Sequence, residues 1–565
     1  MSRWLQEQIE EEPWGPSHQR MEPPFQHRHP FASCFGVVFS FLLLLFFVGF
    51  IRFALELKSG STISWTIGAV IVLVVGRLLL MLFVGVFTRT PRTRRAPSRP
   101  EPLPSTTREP VVHVPVSPAA RAREGLLRVG GGAYLGVRDS REWAAADPET
   151  AAMILGPPRS GKTSAVMIPA LMAASGPAVS TSTKPDVMEA TVHARGEIGE
   201  VWLFDPSGTE PLPDGVRRLS WSPVSAAATW DGALVTARAM TAASRAGAGT
   251  TNENHWSERA AALLAPLLYA AQLTGRPIEE VLRWTLRQDL APALEVLADA
   301  DSEIAADVLV GIERTDARER SSIFSATAGV LSAYNSDGAR QSAANPNFDP
   351  DQFAAGTDTI YITSPEQHQA ACAPLIVGLL EQIRHAVYAR ARAGQALGPG
   401  MLWLLDEVAN IAPIHDLPAL ISQAGGQNLQ VVVGLQDLSQ ARTRWGQDAA
   451  DGFLSLFQAK LILSGIADTR TLEAISLALG EYDRDMTSLS LGRSDPQEWL
   501  AEPTHSDAVS YQTQRHRVLT PGEIAKLPAG RGLLLQGTDW ELIGLTKWFE
   551  IEPWRRVADT GAYMP

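Results

Sequence analysis

Eight residues, GPPRSGKT at positions 156–163, combine glycines, a lysine and a hydroxyl in the order that a phosphate-cradling loop requires. They follow a strand-like apolar run, AAMIL, and precede a helix-like run, SAVMIPALMAA. In that setting the glycines let backbone N–H groups wrap a polyphosphate at a helix N-terminus, where the helix dipole also favours the anion. Gly156, Pro157, Pro158, Arg159, Ser160, Gly161, Lys162, Thr163 and Ser164 are therefore the candidate nucleotide-binding residues. Lys162 is placed to reach the β- and γ-phosphates and Thr163 to ligate Mg2+, which implies ATP and Mg2+ as cofactors. A glycine turn holding no nucleotide is the competing reading, and the strand and helix flanks argue against it. Lysine is scarce in this chain, six among 49 basic residues, so one at this position draws attention.

A second candidate is MLWLLDEVAN, in which five apolar residues, 401–405, end at Asp406 and Glu407. A strand buried on both sides would deliver these carboxylates to the C-terminal edge of a sheet, beside the phosphate loop. Asp406 would hold Mg2+ through water, and Glu407 would orient and deprotonate an attacking water. Taken alone, the pattern also reads as nothing more than a strand end. A third run, LQVVVGLQDLSQ, ends its apolar stretch at Gln436. That residue suits contact with the γ-phosphate or the lytic water, or else simply begins a helix.

Strand-like runs at 152–155, 178–180, 201–204, 359–362, 401–405, 429–435, 460–464 and 532–536 are short, continuously apolar and separated by helical sequence. This pattern predicts an α/β fold with a parallel sheet covered on both faces. Between residues 225 and 345 the strand signal disappears into Ala/Leu-rich helical sequence, which predicts an all-α insertion domain.

Residues 31–51 carry no charge and would span roughly 31 Å as a helix, against a hydrocarbon core of about 30 Å. A second apolar stretch, 63–87, is interrupted only by Arg77, a costly charge near mid-membrane that faces a partner or snorkels. A signal peptide is the alternative to the first span, disfavoured by its length and late start. Arginines at 89, 92, 94, 95 and 99 follow the second span, so the positive-inside rule predicts a multi-pass inner-membrane anchor with both termini cytoplasmic. The expected organisation is a cytoplasmic tail at 1–30, two transmembrane helices at 31–88 and a Pro/Arg-rich linker at 89–122, followed by a large globular body. Residues 1–103 carry eleven Lys/Arg against seven Asp/Glu, which leaves −16 on the remainder of a chain whose net charge is −12. That acidity argues against a broad nucleic-acid surface, though not against a basic channel inside a ring. Cys34 and Cys372 are far apart, and neither a disulfide nor a cysteine metal site is expected.

Taken in order, several motifs resemble the TraG/TraD family of type IV secretion coupling proteins, the conjugative DNA transfer ATPases. Besides the elements above they include STKPD (182–186), FDPSG (204–208), WSP (221–223), HWSERAAALLAPLL in the helical region and the closing RHRVLTPGEIAKLPAGRGLLLQG. The resemblance implies a RecA-like P-loop NTPase domain over 123–224 and 346–565, with the all-α insertion at 225–345. It further implies a homo-hexameric, DNA-translocating motor that brings single-stranded DNA or a relaxase–DNA complex to type IV secretion channel proteins at the membrane. By the same resemblance Lys162, Glu407 and Gln436 are catalytic, and Thr163 and Asp406 bind the metal. Lys184 and Asp186 belong to a family motif with no assigned chemistry. One departure stands out: where many members carry a Gly-Arg pair whose Arg reaches the neighbouring subunit, this chain has Gly425 and Gly426. Arg442, Arg444 and Arg470 are the candidate substitutes. Protein cargo, or a nucleotide-binding recruitment scaffold that does not pump, are the alternative functions.

Overall fold

The computed structural model describes residues 117–244, 251–396, 398–494 and 504–559. The chain divides into two compact units, Met1–Val111 and Val112–Pro565, and every described residue lies in the second. The tail, the two spans, Arg77, Cys34 and most of the linker expected from the sequence lie outside the described residues.

Strands follow in chain order as β1 (Tyr134–Val137), β2 (Trp143–Ala145), β3 (Ala152–Leu155), β4 (Ala178–Ser182), β5 (Val201–Phe204), β6 (Arg217–Arg218) and β7 (Thr359–Thr363). They continue as β8 (Met401–Leu405), β9 (Leu429–Leu435), β10 (Ala459–Leu463), β11 (Glu481–Ser494), β12 (Thr504–Arg517), β13 (Arg531–Gln536) and β14 (Asp539–Gly544). Twelve of them form one sheet in the order β2-β1-β14-β13-β10-β3-β9-β8-β4-β7-β5-β6. From β10 to β6 every pairing is parallel.

The apolar runs are continuous because successive residues enter two different cores. In β3, Met153 and Leu155 join one buried cluster while Ala152 and Ile154 join the other. In β8, Met401, Trp403 and Leu405 face the first cluster and Leu402 and Leu404 the second. A strand dry on both faces cannot alternate with polar residues, which is the signature read from the sequence.

The parallel reading needs correction at one edge. The run expected at 532–536 pairs antiparallel with β10, and β14 and β1 extend that edge, also antiparallel. The β13–β14 part of it is local: Gln536 pairs with Asp539 across a two-residue turn in which Gly537 has φ +61°, so β14 folds straight back on β13. A second departure is at the linker, expected to run to 122. Ser117 caps a helix over Pro118–Arg128 by accepting from the Ala120 N–H, and Pro118 supplies the preset φ of a first helical residue. A third is the separate hairpin β11–β12, paired over its whole length from Glu481–Arg517 to Ser494–Thr504, which the sequence reading did not anticipate.

Between β6 and β7 the described residues contain helices and no strand, the longest helix being Thr251–Leu273. Another helical segment, Glu366–Arg392, is long and apolar enough by composition to cross a membrane. Its Leu375, Ile376, Leu379, Leu380 and Ile383 are buried in the first core cluster, so here it serves as a core helix.

Candidate functional site

At the C-terminal edge of β3 the chain enters the loop 156–161 and then a π-helical turn, Lys162–Met167, continued by the helix Ile168–Ala173. Glycine is required twice. A Cβ on Gly156 would lie 2.6 Å from Ser160 Oγ and 2.9 Å from Leu463 Cβ, and Gly161 has φ +99°. Lys162 is 6% exposed; its Nζ donates to the Gly156 carbonyl at 2.9 Å and lies 3.9 Å from Glu407 Oε1. The Ser160 hydroxyl is buried with no partner, an open hydrogen-bonding capacity inside the loop.

The strand order brings the remaining candidates to the same edge. β9 lies between β3 and β8, so Gln436 at the end of β9 stands between the loop and the acid pair at the end of β8. The Thr163 hydroxyl donates to Asp406 Oδ2 at 2.9 Å, and Thr181 Oγ1 donates to the Asp406 carbonyl at 2.9 Å. Gly434 makes room for this carboxylate, since a Cβ there would sit 2.5 Å from Asp406 Oδ1. Glu407 adopts the left-handed region, φ 51° and ψ 40°, which is costly for a residue with a Cβ and is a recurrent mark of functional positions. Its carbonyl accepts from the Asn410 and Ile411 N–H groups, so the strained turn is held by the short helix Val408–Ile411. The Gln436 side-chain amide donates to Glu407 Oε1 at 3.5 Å, while its backbone N–H donates to Gln440 Oε1 at 2.9 Å. The helix start is Asp437, which caps Leu438–Trp445, so Gln436 is not the capping residue.

A cavity of about 360 Å³ is lined by residues 157–164 and by Asp406 and Glu407. Its wall also includes residues the sequence reading left without a role. Lys184 and Asp186, from the STKPD motif, line it, and burial pushes the Asp186 carboxyl up, countered by the Val187 N–H and Lys184 and reinforced by Asp406. Trp548 and Phe549 line it too, from a segment with no motif to announce it. Among the described residues no cluster of three or more His, Cys, Asp or Glu is disposed to hold a metal. The donors that converge are one hydroxyl and one carboxylate, a hard-oxygen pair that suits Mg2+ completed by phosphate and water oxygens.

The other family motifs shape the scaffold. Asp205 is buried and accepts from the N–H groups of Ser207 and Glu210, closing the FDPSG turn. Trp221 is buried, with Nε1 donating to Gln382 Oε1 at 2.7 Å. Of the three arginines named as finger substitutes, Arg442 is tied to Asp468 and Arg444 donates to the Ala243 carbonyl, whereas Arg470 is exposed. Gly425 and Gly426 precede β9 and so lie at the opposite edge of the sheet, in a larger cavity of about 580 Å³ whose only charged lining residue among the described ones is Glu149. That cavity offers little chemistry.

The family model for type IV secretory system conjugative DNA transfer matches residues 121–550. Among solved structures, an unbound form of the bacterial conjugative coupling protein TrwBdeltaN70 is similar at 17% identity and a TM-score of 0.54, covering 75% of this chain and 92% of that one. The plasmid coupling protein TrwB in complex with ADP and Mg2+ is similar at 18% identity, with a TM-score of 0.54 and coverage of 75% and 91%. TrwB with a non-hydrolysable ATP analogue gives 18% identity, a TM-score of 0.53 and coverage of 75% and 92%. At this identity the likeness concerns the fold. No curated protein matches the chain.

Proposed function

Because this chain belongs to the type IV secretory system conjugative DNA transfer family, we propose that it is a membrane-anchored ATPase that drives DNA delivery into a secretion channel. In this reading a homo-hexamer of RecA-like domains, 123–224 with 346–565, is tethered by two helices within 31–88 and presents the 225–345 insertion to its cargo. The cargo is single-stranded DNA or a relaxase–DNA complex, and the partners are the channel proteins. The observation that carries the reading is the convergence of the phosphate loop on the acid pair: Thr163 on Asp406 at 2.9 Å and Lys162 near Glu407 at 3.9 Å.

The residues divide the work of hydrolysis. The loop N–H groups and the free Ser160 hydroxyl bind phosphate oxygens, and Lys162 exchanges the Gly156 carbonyl for the β- and γ-phosphates. Thr163 and Asp406 would hold Mg2+, which would supply charge neutralisation to those phosphates. Glu407, aimed by its left-handed backbone, accepts the proton of the attacking water. Gln436, within reach of Glu407, reports whether the γ-phosphate is present. Arg470 is the candidate for charge stabilisation across a subunit boundary.

The test is ATP hydrolysis by the full-length chain with and without single-stranded DNA, over a range of salt. A DNA-driven motor shows stimulation that fades steeply with salt, because phosphate contacts release counterions. The −16 charge of the body favours protein cargo as the second reading, which stimulation by a protein substrate but not by DNA would establish. Absence of hydrolysis in the assembled state would refute both.

A further inference from the structure

The cavity that holds the phosphate loop has an aromatic wall with no task in the mechanism above. Resting on the nucleotide reading, we propose that Phe549, braced by Trp548, is the platform on which the nucleobase of the bound nucleotide stacks.

Among the described residues these are the only aromatic side chains lining that cavity. The two differ in role. Trp548 is 4% exposed and belongs to the same buried cluster as Ile168 and Met172, which sit on the helix that continues the phosphate loop. Its ring is therefore seated in the core and not in solvent. Phe549 is only partly buried and meets Trp548 edge-on, with ring centroids 5.5 Å apart and planes at 87°. Lys547 Nζ lies 5.6 Å over the Phe549 ring and 3.8 Å from Glu550 Oε1, an exposed pair on one face of the ring. A partly exposed aromatic ring in the wall of a cavity whose other lining is mostly the phosphate loop and polar or charged side chains is matched to the one flat, weakly hydrated part of a nucleotide. Stacking needs only a π-face, so this subsite holds the base without reading its edge.

The segment that carries the ring follows β14, at the antiparallel edge of the sheet. It reaches the site only because β13 and β14 return the chain there. A sequence spacing of almost 400 residues from the loop explains why no motif links them.

The experiment is calorimetric titration of the full-length chain and of Phe549→Ala with Mg2+–ATP and, separately, with Mg2+–tripolyphosphate, which has the phosphates but no base. Phe549→Ala is expected to weaken ATP binding by about tenfold or more, since base–aromatic stacking is of that order, and to leave tripolyphosphate binding unchanged. Phe549→Trp is expected to restore ATP affinity. Unchanged ATP affinity in Phe549→Ala, or an equal loss for both ligands, overturns the stacking role while tripolyphosphate binding by the native chain still upholds the phosphate site. If the native chain binds neither ligand, the nucleotide reading falls and the stacking role with it.

Discussion

The Thr163 hydroxyl donates to Asp406 Oδ2 at 2.9 Å across 243 positions of sequence. The hydroxyl starts the helix after β3 and the carboxylate ends β8, so this contact exists only because β9 separates the two strands by one position in the sheet.

Removing either partner should uncouple nucleotide binding from Mg2+. Thr163→Val and Asp406→Asn are each expected to weaken ATP binding about tenfold or more in the presence of Mg2+, as for a lost bond to a charged group. Binding measured in EDTA should change little. Calorimetry with and without Mg2+ checks this, and an equal effect under both conditions would count against a metal site.

Glu407 holds a backbone conformation that disfavours a side chain. Replacing it with glycine relieves a cost of about 1–2 kcal/mol, partly offset by glycine's greater chain entropy. Glu407→Gly should therefore unfold at a temperature equal to or slightly above that of the native chain while losing hydrolysis. Calorimetric melting alongside an activity assay checks both; a large drop in melting temperature would show that the turn is not strained.

The Gly-Gly pair can be separated into a necessary and a replaceable glycine. A Cβ on Gly425 would sit 1.7 Å from the Glu149 carbonyl oxygen, whereas one on Gly426 meets nothing within 4 Å. Gly425→Ala is expected to cost about 1–3 kcal/mol of stability through this clash. Gly426→Arg should be neutral to folding and, in the assembled state, should raise the hydrolysis rate if this position serves a neighbour's site. Melting temperature and concentration-dependent turnover are the readouts.

Asp468 caps the helix Thr469–Leu479 and pairs with Arg442 on the helix that follows Gln436. Burial opposes ionisation, but hydrogen bonds from Thr471 and Arg442 outweigh it and hold the carboxyl below the usual carboxylate range. A lowered acid pKa stabilises the fold above the unfolded-state value, and that contribution is lost as pH falls through the folded one. Asp468→Asn should thus lower the melting temperature at pH 7, with a deficit that shrinks as the pH falls below 4. A pH-independent deficit would contradict the ionic role.

Much of the sheet was legible because its strands are dry on both faces. β3, β5, β8 and β9 end at the residues where their apolar runs end. Strand direction was not legible: β13 is as apolar as the parallel strands of the sheet, yet it pairs antiparallel with β10. The hairpin β11–β12 went unseen: it is no run of core residues like the central strands, and its Tyr482, Met486, Val509 and Tyr511 are exposed. Lys162, Thr163, Asp406 and Glu407, which the structure brings to one edge of the sheet, were singled out through strand-end motifs. Thr181, Gly434, Trp548 and Phe549 were not, because each enters the site through packing between distant strands, which spacing does not encode.

The most direct measurement is the steady-state ATP hydrolysis rate of full-length Glu407→Gln beside the native chain, with ATP affinity determined on both. If Glu407 is the base of a phosphate-loop ATPase, hydrolysis falls by about 10²–10⁴-fold while ATP binding is kept. Native-level hydrolysis by Glu407→Gln would contradict the catalytic assignment of the acid pair.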